Sequence, residues 1–490
     1  MNDINVALLC VAAVAIIVVL SEVVGRYFGI SGRITRLAVH ISSGVIVALA
    51  PLLFQNRWWP AAAALLLLIS LYLAVHFHRL PSIHAARPSS YGTVWFAVSV
   101  LLLYLLAWDE PVLITVPLLV MAFADAAGVI VGEARRYTIP LPQGFTGKSW
   151  DGSIAVFAIT GLTVSLGWEA FGLAGTGHAL LVGLACAPVV AVVEAFSRRG
   201  TDNLTVPLAA AFTLMLLRDS AVQPQAMLLA EAVALVLVAI AVRWKALRPD
   251  GAAGAFLIAT WLLGGGGWPW TVPIMVFFVI SSVLSQVSDR KRRGETGVIA
   301  KGSMRDMAQV GANGGVALAI FASAALGFPP DLAWPAFLGA VATATSDTWA
   351  TEIGMALRRH ARLITTGRTV PAGTSGGVTL VGFAGSAAGA LVIGLVALML
   401  TPAGIEAVGI SALAAAVGGI AGSLIDSFLG ATLQVQFRCH GCGALTEKKR
   451  HCEGTGVEPI RGWRVLNNDV VNVVSCTAGA AVALLVSVIV

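Results

Sequence analysis

Apolar stretches of about 16–24 residues recur along the whole 490-residue chain, separated by short polar links. A helix needs about 20 residues to cross the hydrocarbon of a bilayer, where each backbone polar group must be satisfied inside its own segment. The pattern predicts an all-α polytopic integral membrane protein. Sixteen spans are expected, at 5–24, 37–54, 60–77, 92–107, 111–131, 152–171, 178–196, 204–217, 224–242, 251–263, 271–287, 307–326, 334–350, 376–399, 409–434 and 470–489. Charged residues make up only 11% of the chain, against roughly 25% in a soluble domain. The opening stretch "VALLCVAAVAIIVVL" has no basic segment before it and leads into another span, so it reads as a first helix and not a cleaved signal.

The charges give the expected sidedness. Loops 25–36, 78–90, 132–150, 197–203, 243–250, 288–306, 358–374 and 435–469 hold 29 of the 31 Lys and Arg, leaving Arg57 and Arg218 for the loops between them. Positive charge is retained in the cytoplasm, so these eight loops are expected there, in a bacterial cytoplasmic membrane, with both termini outside. The basic pI then follows from topology and calls for no nucleic acid.

Within this apolar chain a few carboxylates stand out. "SDTWATEIG" (346–354) closes an apolar span with Asp347 and Glu352, and "ADAAGVIVGE" (124–133) closes another with Asp125, eight spans earlier. A charge at the bilayer centre costs about 2.5–3.5 kcal/mol even on insertion scales, so such residues mark pathways or active sites. The parallel continues in order. "GKSWDGSIAV" (147–156) corresponds to "GTSGGVTLVG" (373–382), Glu194 to Asp426, and "TDNLTVPL" (201–208) to "LNNDVVNVV" (466–474). An offset of eight spans describes two parallel eight-helix halves, at 1–220 and 221–490.

In the first half Asp125, Glu133, Lys148, Asp151, Glu194, Asp202 and Asn203 are expected to gather at the cytoplasmic face. Carboxylates there suit Mg²⁺, which binds one or two carboxylates plus substrate phosphates; Asp125 and Asp202 are the candidate ligands. Lys148 and Ser149 could hold phosphate oxygens, although "PQGFTGKS" has Pro142 where a P-loop needs glycine. The motifs "RLAVHISSG" (36–44), "SYGTVWF" (90–96), "ADAAGVIVGE", "GKSWDGS" and "VEAFSRRGTDNLTVPL" resemble the phytol kinase and dolichol kinase family over about residues 30–220. The resemblance implies phosphoryl transfer, typically from CTP, to a long isoprenoid alcohol. It falls on Arg36, His40, Asp125, Gly128, Gly132, Lys148, Ser149, Gly152, Ser153, Glu194, Asp202, Asn203 and Pro207.

In the second half "SDTWATEIG", "TVPAGTSGGVTLVG", "GSLIDSFLGATLQ" and "NNDVVN" resemble the transmembrane protein 19 family, which includes plant phytyl-phosphate kinases, over about residues 245–485. This implies phosphorylation of an isoprenyl monophosphate. The matching positions include Asn313, Ser346, Asp347, Thr348, Glu352, Gly354, Gly373, Thr374, Ser375, Gly376, Gly377, Asp426, Asn468, Asp469 and Asn472, with Asp347 and Asp426 as candidate Mg²⁺ ligands. Backbone N–H groups of a Gly/Thr/Ser turn opening a helix would cradle phosphate. Lys301 and Arg305, in the basic loop 288–306, are candidate phosphate contacts.

The insert 435–469 contains "CHGCGALTEKKRHC". Cys439, Cys442, His451 and Cys452 suit a structural tetrahedral Zn²⁺, with His440 as a substitute for His451.

The expected function is a bifunctional salvage kinase that takes a prenol to its monophosphate in the first half and to the diphosphate in the second. It would use Mg²⁺ and CTP at the cytoplasmic face. The expected partners are the isoprenoid alcohol and its monophosphate, a nucleoside triphosphate and the bilayer, with a homo-oligomer left open. A secondary transporter built from parallel repeats, a diacylglycerol kinase and a CTP-using cytidylyltransferase are the alternatives.

Overall fold

The computed structural model describes residues 2–29, 31–77, 91–134, 148–218, 222–291, 304–357, 360–402, 405, 407–443, 445–447, 452 and 456–490. Nearly all regular structure is helical, as the apolar periodicity requires. The chain folds as two compact units, Met1–Glu231 and Ala232–Val490.

The first unit contains α1 (Asp3–Phe28), α2 (Gly32–Ala48), a one-turn α3 (Ala50–Leu53), α4 (Trp58–His76), α5 (Gly92–Leu106), α6 (Val112–Ala134), α7 (Trp150–Ala170), α8 (Thr176–Phe196) and α9 (Asp202–Arg218). Helix α10 (Pro224–Arg243) leads across the division. Prolines 117, 188 and 207 lie inside α6, α8 and α9. Such positions are tolerated where neighbouring helices re-satisfy the freed carbonyls. Helices α6, α7, α8 and α9 close a ring in which each packs on the next and α9 returns to α6, with α2 against α6.

The second unit repeats the ring. It contains α11 (Pro249–Trp261), a π turn (Leu262–Gly266), α12 (Gly267–Lys291), α13 (Met307–Ala325), α14 (Pro330–Leu357), α15 (Leu380–Leu400), α16 (Val408–Thr432) and α17 (Asn468–Ile489). Here α14, α15, α16 and α17 pack in cyclic order, with α13 against α14 and α17.

Ten described segments are long and apolar enough to cross a membrane, while the apolar cores of α2, α4 and α5 are shorter. The separate spans expected at 251–263 and 271–287 lie in one 41-residue stretch, Pro249–Asp289, interrupted by the π turn.

The loops after α14 and α16 each fold into a small antiparallel sheet that the sequence pattern does not announce. The first comprises β1 (His360–Leu363), β2 (Thr369–Pro371) and β3 (Gly377–Val378), in the order β2-β1-β3, with His360 opposite Pro371 and Arg362 opposite Val378. The second comprises β4 (Gln436–Cys439), β5 (Leu445–Thr446) and β6 (Val457–Arg461), in the order β5-β4-β6, with Phe437 opposite Thr446 and Cys439 opposite Val457. These strands correct one expectation. "GTSGG" does not open a helix; it is the turn from β2 to β3, and α15 starts at Leu380 with Thr379 as its cap.

Candidate active sites

In the first unit the Ser149 side chain caps α7 by accepting from Gly152 N at 3.2 Å. This cap lies against α6, because a Cβ on Gly152 would meet Gly128 O at 3.0 Å and one on Gly132 would meet Ser149 Oγ at 3.2 Å. The close approach brings Lys148, the residue before the cap, to the carboxylates. Lys148 Nζ donates to Glu194 on α8 and lies 3.6 Å from Asp202 Oδ2 at the start of α9. Burial works against the Lys148 ammonium, but Glu194, Asp202 and Asp125 outweigh it and hold its pKa above the ordinary lysine value. Asp125, on α6, lies 3.7 Å from His40 Nε2 on α2, and the same nitrogen is 3.4 Å from Met121 O.

His40, Asp125, Lys148, Glu194 and Asp202 therefore form one constellation. Two other expected residues stand apart from it. Arg36 is exposed on α2. Asn203 donates to Gly92 O at 2.9 Å, tying α9 to the start of α5, while its Oδ1 is buried with no partner among the described residues.

The second unit holds a half-open cavity of about 970 Å³. Thr379 repeats the cap by accepting from Gly382 N at 2.9 Å, and a Cβ on Gly354 would meet Thr379 Oγ1 at 3.2 Å. The order of parts is the same: carboxylate, small residue and glycine on one helix (Asp125, Gly128, Gly132; Asp347, Ala350, Gly354), then a hydroxyl cap and a glycine (Ser149, Gly152; Thr379, Gly382). The correspondence read from "GKS" and "GTS" therefore shifts. Lys148 is matched by Val378, and residues 143–147, at the register of the "GTSGG" turn, lie outside the described residues.

Asp347, Glu352, Asp426, Arg305, Asn313, Thr374, Ser375, Gly376, Asn468 and Asn472 all line the cavity. Asp347 and Asp426 both line the cavity and lie close enough for each carboxyl to act on the other. Ser475 donates to Asp426 at 3.0 Å, and the Asn472 amide reaches Asp426 at 3.1 Å and Asn313 at 3.2 Å. Glu352 accepts from Ser285 at 2.8 Å. Two carboxylates so placed repel when both are ionised, and a shared proton or a hard cation relieves this. The oxygen-only donor set of Asp347 and Asp426 fits Mg²⁺. In the first unit Lys148 already lies against Glu194 and Asp202, so an Mg²⁺ there would draw on Asp125 and on an Asp202 shared with Lys148.

Arg305 is buried just before α13. Its guanidinium lies 5.1 Å from the Phe277 ring and 5.4 Å from the Phe278 ring and donates to Ser282 Oγ at 3.5 Å. Burial lowers its pKa to about 10 despite the opposing attraction of Glu352. Asp469 is not among the cavity-lining residues, and Lys301 lies outside the described residues.

Glu447 was missed by the sequence reading. It follows β5, lines the cavity, and accepts from Ser375 Oγ and, at 3.0 Å, from Gln434 Nε2. Burial is the main cause that raises its carboxyl pKa.

In the insert, the Sγ atoms of Cys439, Cys442 and Cys452 lie within 4.8 Å of one another. His440 is not in this group, and His451 lies outside the described residues.

An integral membrane protein family, DUF92, matches residues 232–480, which is almost all of the second unit. The chain belongs to this family. It is 32% identical over 251 residues to Protein PGR of Arabidopsis thaliana, covering 47% of this chain and 85% of that protein. It is 31% identical over 200 residues to the phytol kinase of a Synechocystis species, covering 40% of this chain and 84% of the kinase. An uncharacterized membrane protein of Methanocaldococcus jannaschii is 28% identical over 242 residues, at 49% and 86% coverage. Each relative thus corresponds to about half of this chain. No solved structure matches it.

Proposed function

We propose that the chain is a two-step isoprenoid-alcohol kinase: the first unit phosphorylates a prenol, and the second phosphorylates the monophosphate. The observation that carries this reading is the recurrence, in both units, of carboxylates on neighbouring helices beside a hydroxyl-capped helix start. The similarity to a phytol kinase supplies the substrate class. The placement near helix ends favours chemistry with a water-soluble co-substrate over transport through the midplane.

Each step makes the same demands. The prenol hydroxyl, or the monophosphate oxygen, bonds to the γ-phosphorus of CTP as the γ-phosphoryl bond to CDP breaks, and the acceptor proton leaves to a carboxylate of the site. In the first unit Lys148, held by Glu194 and Asp202, presents a fixed cation to phosphate oxygens. In the second, Arg305 and the Ser375–Gly376 turn face the cavity where the incoming phosphates would lie. Asp125 and Asp202, or Asp347 and Asp426, would hold Mg²⁺, which when bound screens the phosphate charge. The isoprenoid chain stays in the bilayer, and both sites face the cytoplasm of a bacterial cell.

Mass spectrometry of products from the purified protein, given prenols of several lengths with CTP, ATP, GTP or UTP, tests the reading. Expected products are CDP with prenyl mono- and diphosphate. Pyrophosphate with a CMP-lipid would identify a cytidylyltransferase, and prenol counterflow in liposomes without nucleotide a transporter. For orientation, an impermeant thiol reagent applied to intact cells should reach cysteines introduced near Asp109 and Thr176, and not loop 132–150.

A further inference from the structure

The cysteine cluster lies outside both proposed reactions, yet it is joined to the second cavity by a short path. Cys439 ends β4, Cys442 lies in the turn that follows, and β5 returns antiparallel along β4. The next residue is Glu447, whose carboxylate accepts from Ser375 in the β2–β3 turn and from Gln434 just before β4. The same hairpin therefore carries thiols at one end and a cavity-wall carboxylate at the other.

We propose that Cys439, Cys442 and Cys452 bind one Zn²⁺, and that the bound ion fixes the β4–β5 hairpin so that Glu447 holds the Gly373–Gly377 turn against the cavity. The chemistry of the donors supports the metal. Zinc–thiolate bonds of about 2.3 Å in tetrahedral geometry separate sulfurs by about 3.8 Å, and the three thiols already lie within 4.8 Å of one another. Cys452 comes from a different part of the insert, at φ +46°, a left-handed conformation that residues other than glycine rarely adopt. The cation would link the two segments. Three thiolates would leave one zinc position for a further donor, and His451, beside Cys452 in the sequence, lies outside the described residues. Each thiol that binds loses its proton to solvent.

Glu447 has the position needed to transmit this order. Gly376 takes φ +79°, and a Cβ there would lie 2.4 Å from Ala431, so the turn is seated tightly on the end of α16. The Glu447–Ser375 bond is its tie to the insert. Glu447 is therefore a positioning residue for the turn.

The test is elemental analysis and hydrogen–deuterium exchange on the purified full-length protein in detergent, neither of which depends on kinase activity. One zinc per chain is expected in the wild type, with loss in Cys442→Ser and retention in Cys10→Ser. Stripping zinc from the wild type with a chelator should raise exchange in the β4–β5 hairpin and in residues 369–378, and zinc readdition should reverse it. Glu447→Gln should keep its zinc while loosening residues 369–378 alone. A wild type that neither carries nor takes up zinc, or Cys442→Ser with full zinc, would overturn the metal site. If stripping loosens the hairpin and leaves 369–378 unchanged, the coupling through Glu447 is wrong. The chelator experiment stands even where Cys442→Ser fails to fold, and a protein with zinc but no kinase activity would separate this inference from the proposed reaction.

Discussion

Lys148 donates to Glu194 from the position just before the Ser149 cap, and the second unit has Val378 at the equivalent place. One unit carries its own cation among the carboxylates. The other leaves Asp347 and Asp426 close to each other. The two sites share a frame and differ in how their negative charge is offset.

Lys148→Met should destabilise the first unit, because Glu194, with a side chain only 7% exposed, loses its cation. A hydrogen bond between charged groups contributes about 1.5–3 kcal/mol, so a lower unfolding temperature in detergent is expected. Since the Lys148 pKa is raised above its ordinary 10.5, its contribution is complete below that value and is lost as pH rises through the raised one. The difference between wild type and variant should be flat across neutrality and shrink only in strong alkali. A difference that vanished near neutral pH would contradict the assignment.

Helix contact makes a second prediction, at two glycines of the second unit. A Cβ on Gly382 would lie 2.8 Å from Ala350 O, whereas one on Gly311 meets nothing within 4 Å. Gly382→Ala forces α15 away from α14 and should cost about 1–3 kcal/mol. Gly311→Ala, in an open part of α13, should stabilise by about 0.4–1 kcal/mol. Thermal unfolding of both variants in detergent checks the pair, and equal effects would mean that α14 and α15 do not approach closely at Gly382.

The all-α polytopic class and the first constellation were legible in the sequence for a simple reason. Asp125, Lys148, Glu194 and Asp202 are costly in apolar surroundings, so each is conspicuous, and the structure brings them together with His40. The register between the units was not legible. The likeness of "GKS" to "GTS" is a match of letters, while the packing pairs Ser149 with Thr379, since both caps must sit over a glycine of the preceding helix. Glu447 was hidden for the opposite reason. In "TEKKR" a carboxylate looks like any solvated loop charge, and only the fold of β4 and β5 turns it toward Ser375. The two small sheets escaped notice because strands of two to five residues leave too little alternation to read.

Arg305 gives a third prediction, in which stability and binding move in opposite directions. Its guanidinium is buried beside the Phe277 and Phe278 rings, and burial outweighs the attraction of Glu352. Such a cation is costly until an anion enters the cavity. Arg305→Met should therefore melt higher than wild type without ligand and show a smaller thermal shift with CTP and Mg²⁺, the first unit's site being unchanged. A variant that melts lower yet keeps the full shift would show that Arg305 serves packing and not anion binding.

The last prediction concerns division of labour. If each unit has its own site, damage should be separable. Asp125→Asn keeps side-chain size and removes a charge from the first constellation, and Lys148→Ala removes its cation. Both should abolish prenol phosphorylation while supplied prenyl monophosphate is still converted. Asp347→Asn or Asp426→Asn should do the reverse, so that monophosphate accumulates from prenol. Loss of a charged transition-state contact costs on the order of 10²–10³ in rate, which a product assay by mass spectrometry resolves easily. Zinc content and unfolding temperature should stay near wild type in Asp125→Asn, showing that the second unit remains folded. Should Asp125→Asn and Asp347→Asn each eliminate both steps in a folded protein, the two units act as one catalyst and the independent-site reading is wrong.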